Sequence, residues 1–501
     1  MKSLFLKFKH LFDPIDLTEG KIFHVIIMFM VPFILSAIFQ QIYTLTDAII
    51  VGHYLSGNEL AGVNNTIPVV NMITNLVTGC ASGFSVVLSR SIGQKKNDVA
   101  RKSIFVSLLL SGVLCVVLTV VAVACINPVM NWLLGSLEET GTTKQEILEA
   151  GRTYLLLNYS IGIISVMFYN LINAILRAMG DSFTPFLFLV GGVLLNLILD
   201  SLFIIVFRWS VAGAAIATVG SQMLVTIFAF VYAFVRFKNL RIHKEDTKIT
   251  WSFVYEHLRL GIPLGLQFSI LFIGVVFMTK AVVPFDNGLM DTPAVNGYGA
   301  ANKFSGLLMA FASAPGGAIL PFISQNYGAK KFDRIRKGYK ITFIMATVIS
   351  LACCAIGFLG TINGAYIQIF LDQGKITDSL IRYGNNYLYM CLPFYPFLSY
   401  IFLCRNAAQA LEKPILPFIS GVLELVTRLV IVIYLPQLVN GGPIDCNANT
   451  WSYLILCAGD AITWLLSAII LLIPVYHLIY KKLPNTSDIT LQHKEADHFT
   501  A

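Results

Sequence analysis

Charge is what this chain has least of. Of its 501 residues only 12% are Asp, Glu, Lys or Arg, against roughly 25% in a soluble domain. With 56% hydrophobic residues and a mean hydropathy of +0.74, an ordinary water-soluble fold is excluded. Alternating polar and apolar strands are also lacking, which excludes a membrane β-barrel and leaves helices. The nine cysteines show no CxxC spacing. Cys80, Cys115, Cys125, Cys353 and Cys354 lie in apolar runs and read as small core residues, not disulfides or zinc ligands. There is no HExxH, no GxSxG and no Walker A sequence. A hydrolytic enzyme and an ATP-driven pump are therefore not expected. Any transport would have to draw on an ion gradient, with no cofactor beyond a coupling ion, H⁺ or Na⁺. The net charge of +8 could suggest an acidic partner, but the bases sit in short loops between apolar runs, so nucleic acid is not expected.

Twelve apolar runs follow one another, at roughly 22–51, 60–88, 103–134, 153–176, 183–207, 211–236, 255–284, 296–322, 338–371, 384–409, 415–439 and 451–479. Each is long enough to cross a bilayer. Pro32, Pro68, Pro263 and Pro315 fall inside runs, where each removes a backbone hydrogen bond. With the N-terminus in the cytoplasm, 26 of the 35 Lys and Arg residues fall on inside segments and 5 on outside loops. The positive-inside rule thus predicts cytoplasmic N- and C-termini in a multi-pass plasma (bacterial inner) membrane protein. The basic, aromatic stretch Met1–Phe12 has the composition of a segment lying along the membrane surface, or else of a solvated, partly disordered end.

The halves repeat. Ser89-Arg90-Ser91-Ile92-Gly93-Gln94-Lys95-Lys96-Asn97-Asp98 recurs as Ser324-Gln325-Asn326-Tyr327-Gly328-Ala329-Lys330-Lys331-Phe332-Asp333, each continued by a basic pair. Pro32 and Pro185 correspond to Pro263 and Pro417. Six spans per half gives both halves one orientation, related by an axis along the membrane normal. The expected fold is an all-α membrane protein of twelve transmembrane helices in two pseudo-symmetric six-helix lobes. The segments are a cytoplasmic N-terminal segment (1–21), an N-lobe (22–236), a cytoplasmic linker (237–254), a C-lobe (255–480) and a C-terminal tail (481–501).

Few residues in the runs carry chemistry. Asp47 stands in the first run with apolar residues on both sides; it marks an ion path, or else lies solvated at a helix end. Asn196 and Asp200 share a helical face at i and i+4. Two such oxygens suit a hard cation such as Na⁺, and the same carboxylate could carry a proton. The alternative for Asp200 is a helix end bonded locally near Arg208. Thr218 adds a hydroxyl in an otherwise apolar stretch. In the predicted topology Asp47, Asp200 and Thr218 fall at similar depth. Asn170, Asn173 and Arg177 share a face and extend a polar network, or form a polar helix end. Asp181 reads as the cap of the fifth run. In the second half Arg428 aligns with Asn196 and Val432 with Asp200, so the acid site is not duplicated. Glu424 and Arg428 form an i, i+4 pair. With Asp460, Lys280 and Lys303 they are expected to make a structural or gating charge network. Gln40 and Tyr43 are candidates to line a cavity.

Several of these sequences together resemble one transporter family. They are Asp47 followed by Ala-Ile-Ile-Val-Gly52, Arg90…Gly93-Gln-Lys-Lys, Leu176-Arg177-Ala-Met-Gly180-Asp181 ahead of Asn196…Leu199-Asp200, and Asn326-Tyr327-Gly328-Ala329-Lys330. In this order they resemble the multidrug and toxic compound extrusion (MATE) family, over Asp16 to about Leu478, and most nearly its MepA-like subgroup. The resemblance implies twelve helices in two lobes and export of organic cations in exchange for H⁺ or Na⁺. It implies a cation site at Asp47, Asn196, Asp200 and Thr218, joined by Gln40 and Asn173. One branch of the family instead carries a glutamate in helix seven and an aspartate in helix ten. Run seven here has no carboxylate between Gly261 and Val283, and run ten has none, so the ion site is expected in the N-lobe. The function expected is a multidrug antiporter working as a monomer by rocking of the lobes. The alternative is a flippase for a lipid-linked cell-wall or polysaccharide precursor.

Overall fold

The computed structural model describes residues 14–134, 142–289, 292–371, 374 and 376–484. Met1–Phe12 and most of the C-terminal tail lie outside the described residues. Among the described residues twelve helices are long and apolar enough to span a bilayer. In chain order they are α1 (Ile22–Tyr54), α2 (Gly57–Gly93), α3 (Asn97–Asn131), α4 (Thr143–Ala178), α5 (Phe183–Val206) and α6 (Ser210–Arg236). The second set is α7 (Trp251–Asp286), α8 (Pro293–Gly328), α9 (Phe332–Gly364), α10 (Asp378–Ala410), α11 (Ile415–Asn440) and α12 (Thr450–Lys482). No strand occurs among the described residues. This is the helical solution to spanning lipid, in which each segment satisfies its own backbone polar groups. The outer face of α3 shows what surrounds it: Val113, Val116, Val117, Val120 and Val121 are all exposed, an apolar surface suited to lipid and costly in water.

The chain forms two compact units. The first is built mainly on Val31–Ser269, the second on Leu17–Met30 and the chain from Ile270 onward. The boundaries fall inside α1 and α7, and the loop at 237–254 lies within the first unit. Two contacts explain why that loop and the start of α7 belong there. Arg101 donates to Asp246 at 2.8 Å, and Arg90 pairs with Glu256 at 2.7 Å. Beside them α2 and α7 meet glycine to glycine. A Cβ on Gly79 would stand 2.6 Å from Gly265 Cα, and one on Gly83 would stand 2.6 Å from the Leu260 carbonyl. Two glycines four residues apart on each helix permit this approach, as small-xxx-small pairs do in membranes.

The repeat seen in the sequence has the same backbone in both copies. Lys95 and Lys330 adopt the left-handed conformation at φ 56° and 57°. The turns close through Lys95 N–H to Ile92 O and Lys96 N–H to Ser91 O, and through Lys330 N–H to Tyr327 O and Lys331 N–H to Asn326 O. A lysine there is strained in isolation. The turns ending α4 and α10 form a second matched pair, with Gly180 at φ 86° and Glu412 at φ 60°. Asp181 caps α5 as expected, its carboxylate accepting from the Thr184 N–H at 2.9 Å and hydroxyl at 2.6 Å.

Candidate functional site: an acidic cavity in the first unit

A cavity of about 340 Å³ opens within the first unit. Helix α1 brings Gln40, Tyr43 and Asp47 to its wall, α5 brings Asn196, and α6 brings Thr218. Every other lining side chain is uncharged, so Asp47 alone puts a formal charge on the wall. Its Oδ1 is buried and has no hydrogen-bond partner among the described residues. It is therefore not a solvated helix-end carboxylate.

Asp200 stands one turn beyond Asn196 and does not line the cavity. It is fully buried, with both carboxyl oxygens unpartnered among the described residues. The alternative in which it is bonded near Arg208 is thereby removed. Asp47 lies within electrostatic reach of Asp200, and both act on Tyr43 and Tyr154. Tyr43 and Thr218 both line the cavity. Thr218 itself donates to Ala214 O at 3.0 Å, its lone pairs remaining available. Asn196 is 3% exposed, with its Nδ2 unpartnered. A half-turn of that amide exchanges donor for acceptor. Three buried carboxylate oxygens without donors are costly. Such oxygens can accept from water, or take a proton or a small cation. Among the described residues no three His, Cys, Asp or Glu side chains cluster, so a cation would be held by two acids plus neutral oxygens.

Of the remaining expected residues, Asn173 is buried with an orphaned Oδ1 and does not line the cavity, which the preceding turn of α4 reaches at Tyr169. Asn170 turns its amide onto its own helix, donating to Val166 O at 2.9 Å, and does not line the cavity. The extended face expected for Asn170 and Asn173 is thus corrected. The reason is depth: Tyr169 is the last α4 residue in the wall, and Asn170 and Asn173 follow it. Sequence reasoning missed Tyr154, Asn158 and Tyr169 of α4 and Asn71 and Thr74 of α2, all in the wall. Asn158 opens a π-helical turn, Asn158–Gly162. A second π turn, Ser201–Val206, follows Asp200 directly. Such widened turns are frequent at functional sites; here the first contributes to the cavity wall and the second follows an acid.

The second unit treats its acids in the opposite way. Glu424 is paired with Arg405 at 2.7 Å and with Arg428 at 3.2 Å, and Arg428 reaches Asp460 at 2.8 Å. The Tyr387 hydroxyl donates to Asp460 at 3.1 Å, and Arg405 also donates to Ser420. Two buried acids meet two buried bases, so the charge sums to zero. Lys280 and Lys303 are exposed, which corrects their expected place in this buried network. An exposed lysine keeps its hydration, and Arg405 fills the role with a guanidinium that is less costly to desolvate. Arg405 stands 232 residues after Asn173, and Arg428 the same distance after Asn196. The two arginines of the neutral network therefore occupy sequence positions equivalent to Asn173 and Asn196 of the first half.

Twelve helices able to span a membrane, five of which line a polar cavity in the first unit, are the architecture of a multi-pass membrane protein. The MatE family model matches residues 32–202 and 266–434; the chain belongs to the MATE family of transporters. The probable multidrug resistance protein YpnP of Bacillus subtilis is 27% identical over 79% of this chain and 84% of its own. The multidrug export protein MepA of Staphylococcus haemolyticus is 21% identical over 72% of this chain and 75% of its own. The FAD transporter of Shewanella oneidensis is 23% identical over 80% and 84%. The fold matches a solved outward-facing multidrug resistance MATE transporter of the MOP superfamily. The TM-score is 0.78, at 22% identity, over 92% of this chain and 97% of that one.

Proposed function

We propose that this protein is a secondary antiporter that exports organic cations across the bacterial plasma membrane in exchange for H⁺ or Na⁺, with both termini cytoplasmic. The observation that carries the reading is the pair of partnerless acids, Asp47 in the cavity wall and Asp200 behind it. A drug cation and a coupling ion both neutralise this charge, so each weakens the hold on the other. Exchange follows when the ion is favoured in one state of the protein and the drug in the other. Tyr43, Tyr154, Tyr159 and Tyr169 supply aromatic faces suited to flat cations. Helices α1, α5 and α6 bring the ion ligands together, and rocking of the two halves exposes the site to either side. A monomer contains every part this cycle needs.

An anionic substrate, such as the name of the Shewanella relative implies for that protein, or a pyrophosphate-linked lipid, would need bases in the wall. The cavity has an acid and no base. The test is exchange in proteoliposomes with pH and Na⁺ gradients imposed separately. Uptake of a fluorescent organic cation should follow one gradient and vanish in Asp200→Asn, with the protein still folded and inserted. Gradient-independent uptake, or full transport by that variant, refutes the mechanism.

A further inference from the structure

Each half carries a second, apolar groove far from any use in the exchange just described. In the first unit a groove of about 430 Å³ lies between the start of α3 and the end of α6. Its walls include Ile104, Leu108, Phe230 and Phe234, and Arg241 stands at its rim. In the second unit a groove of about 530 Å³ lies between the start of α9 and the end of α12. Its walls include Tyr339, Phe343, Ile473 and Tyr476, with Lys340 beside them. The two are sequence-equivalent: Tyr339 follows Ile104, and Phe343 follows Leu108, by the same 235 residues that separate Lys330 from Lys95.

The bases at these grooves have donors to spare. Lys340 is exposed, two turns inside α9, and has no ion pair or hydrogen bond among the described residues. Arg241 donates from Nε to Phe234 O at 3.0 Å and lays its guanidinium over the Phe234 ring at 4.4 Å. That stacking fixes the plane of the guanidinium and leaves the other nitrogens for an anion. A base at the mouth of an apolar groove, beside helices long enough to span lipid, matches a molecule with an apolar tail and an acidic head.

We propose that these two grooves are binding sites for anionic phospholipid, one per half, with an acyl chain along the aromatic wall and the headgroup phosphate held by Arg241 in the first unit and by Lys340 in the second. Arginine offers the phosphate a planar fork and lysine a point charge, so the first site is the more selective for phosphate geometry. The proposal needs only a bilayer around the protein and is independent of what the central cavity transports.

Native mass spectrometry of the full chain released from phosphatidylglycerol and phosphatidylcholine mixtures tests it. The wild type should retain up to two phosphatidylglycerols in preference to phosphatidylcholine. Lys340→Ala should lose one and Arg241→Gln the other, each with about a fivefold fall in occupancy ratio, and the double variant should lose both. Lys340→Ala removes an exposed side chain with no partner to orphan, so it carries the test should Arg241→Gln fail to fold. Equal retention of the two lipids by the wild type, or undiminished phosphatidylglycerol on Lys340→Ala, overturns the proposal.

Discussion

Replacing Asp47 by Asn removes the only formal charge on the cavity wall while keeping the side chain's size. A monovalent drug cation seated about 5 Å from that carboxylate, at an effective dielectric of about 20, loses about 3 kcal/mol. That corresponds to roughly two decades in Kd. The protein itself should not suffer. Asp47 Oδ1 has no partner to abandon, so the melting temperature should stay the same or rise. The assay is fluorescence anisotropy of a cationic dye and of its uncharged isostere on purified protein, beside thermal unfolding. The cationic dye should weaken by about two decades, the neutral one hardly at all. An equal loss for both dyes would mean that Asp47 shapes the cavity instead of charging it, and the electrostatic reasoning would be wrong.

Glu424→Gln should behave in the reverse manner. It takes the carboxylate charge from Arg405, which keeps only neutral acceptors such as Ser420, and leaves Arg428 paired with Asp460, at about 3–5 kcal/mol for a broken buried pair, read as a lower melting temperature and poor membrane yield; Arg405→Met with Glu424→Met should recover most of it. Gly79→Leu should cost about 3 kcal/mol or more, because the added side chain meets the α7 backbone, and loss of folded protein in detergent chromatography checks it. Burial alone would raise the Asp246 carboxyl, but hydrogen bonds from Arg101 and from the His243 N–H outweigh it and hold it below the ordinary range. Its stabilising share is present above the unfolded value of about 3.9 and is lost as pH falls through the lower folded value. Melting curves of wild type and Asp246→Asn should therefore differ at neutral pH and converge in acid.

The fold was legible because lipid leaves the sequence few choices. Twelve uninterrupted apolar runs had to be helices, and the repeated Lys95 and Lys330 turns announced the two halves. Asp47, Asn196 and Thr218 were legible for a related reason: a polar group in an apolar run stands out. Tyr154 and Tyr169 were not, since an aromatic residue in a membrane helix is ordinary until its neighbours are known. Arg405 was missed because it closes an apolar run, where a base looks like a helix end, and its partner Glu424 is nineteen residues away on another helix. Lys280 and Lys303 erred the other way, because linear position in a run says nothing of which face a side chain takes.

The turn-for-turn likeness of the halves makes their difference in electrical bookkeeping consequential. One copy carries its own counterions; the other leaves its negative charge to be met from outside. A protein assembled from two second halves would be self-neutralised and have nothing to exchange, and one assembled from two first halves would demand twice the ions per cycle. Division of labour between duplicates, set by the presence or absence of two arginines, is thus what the proposed exchange would rest on.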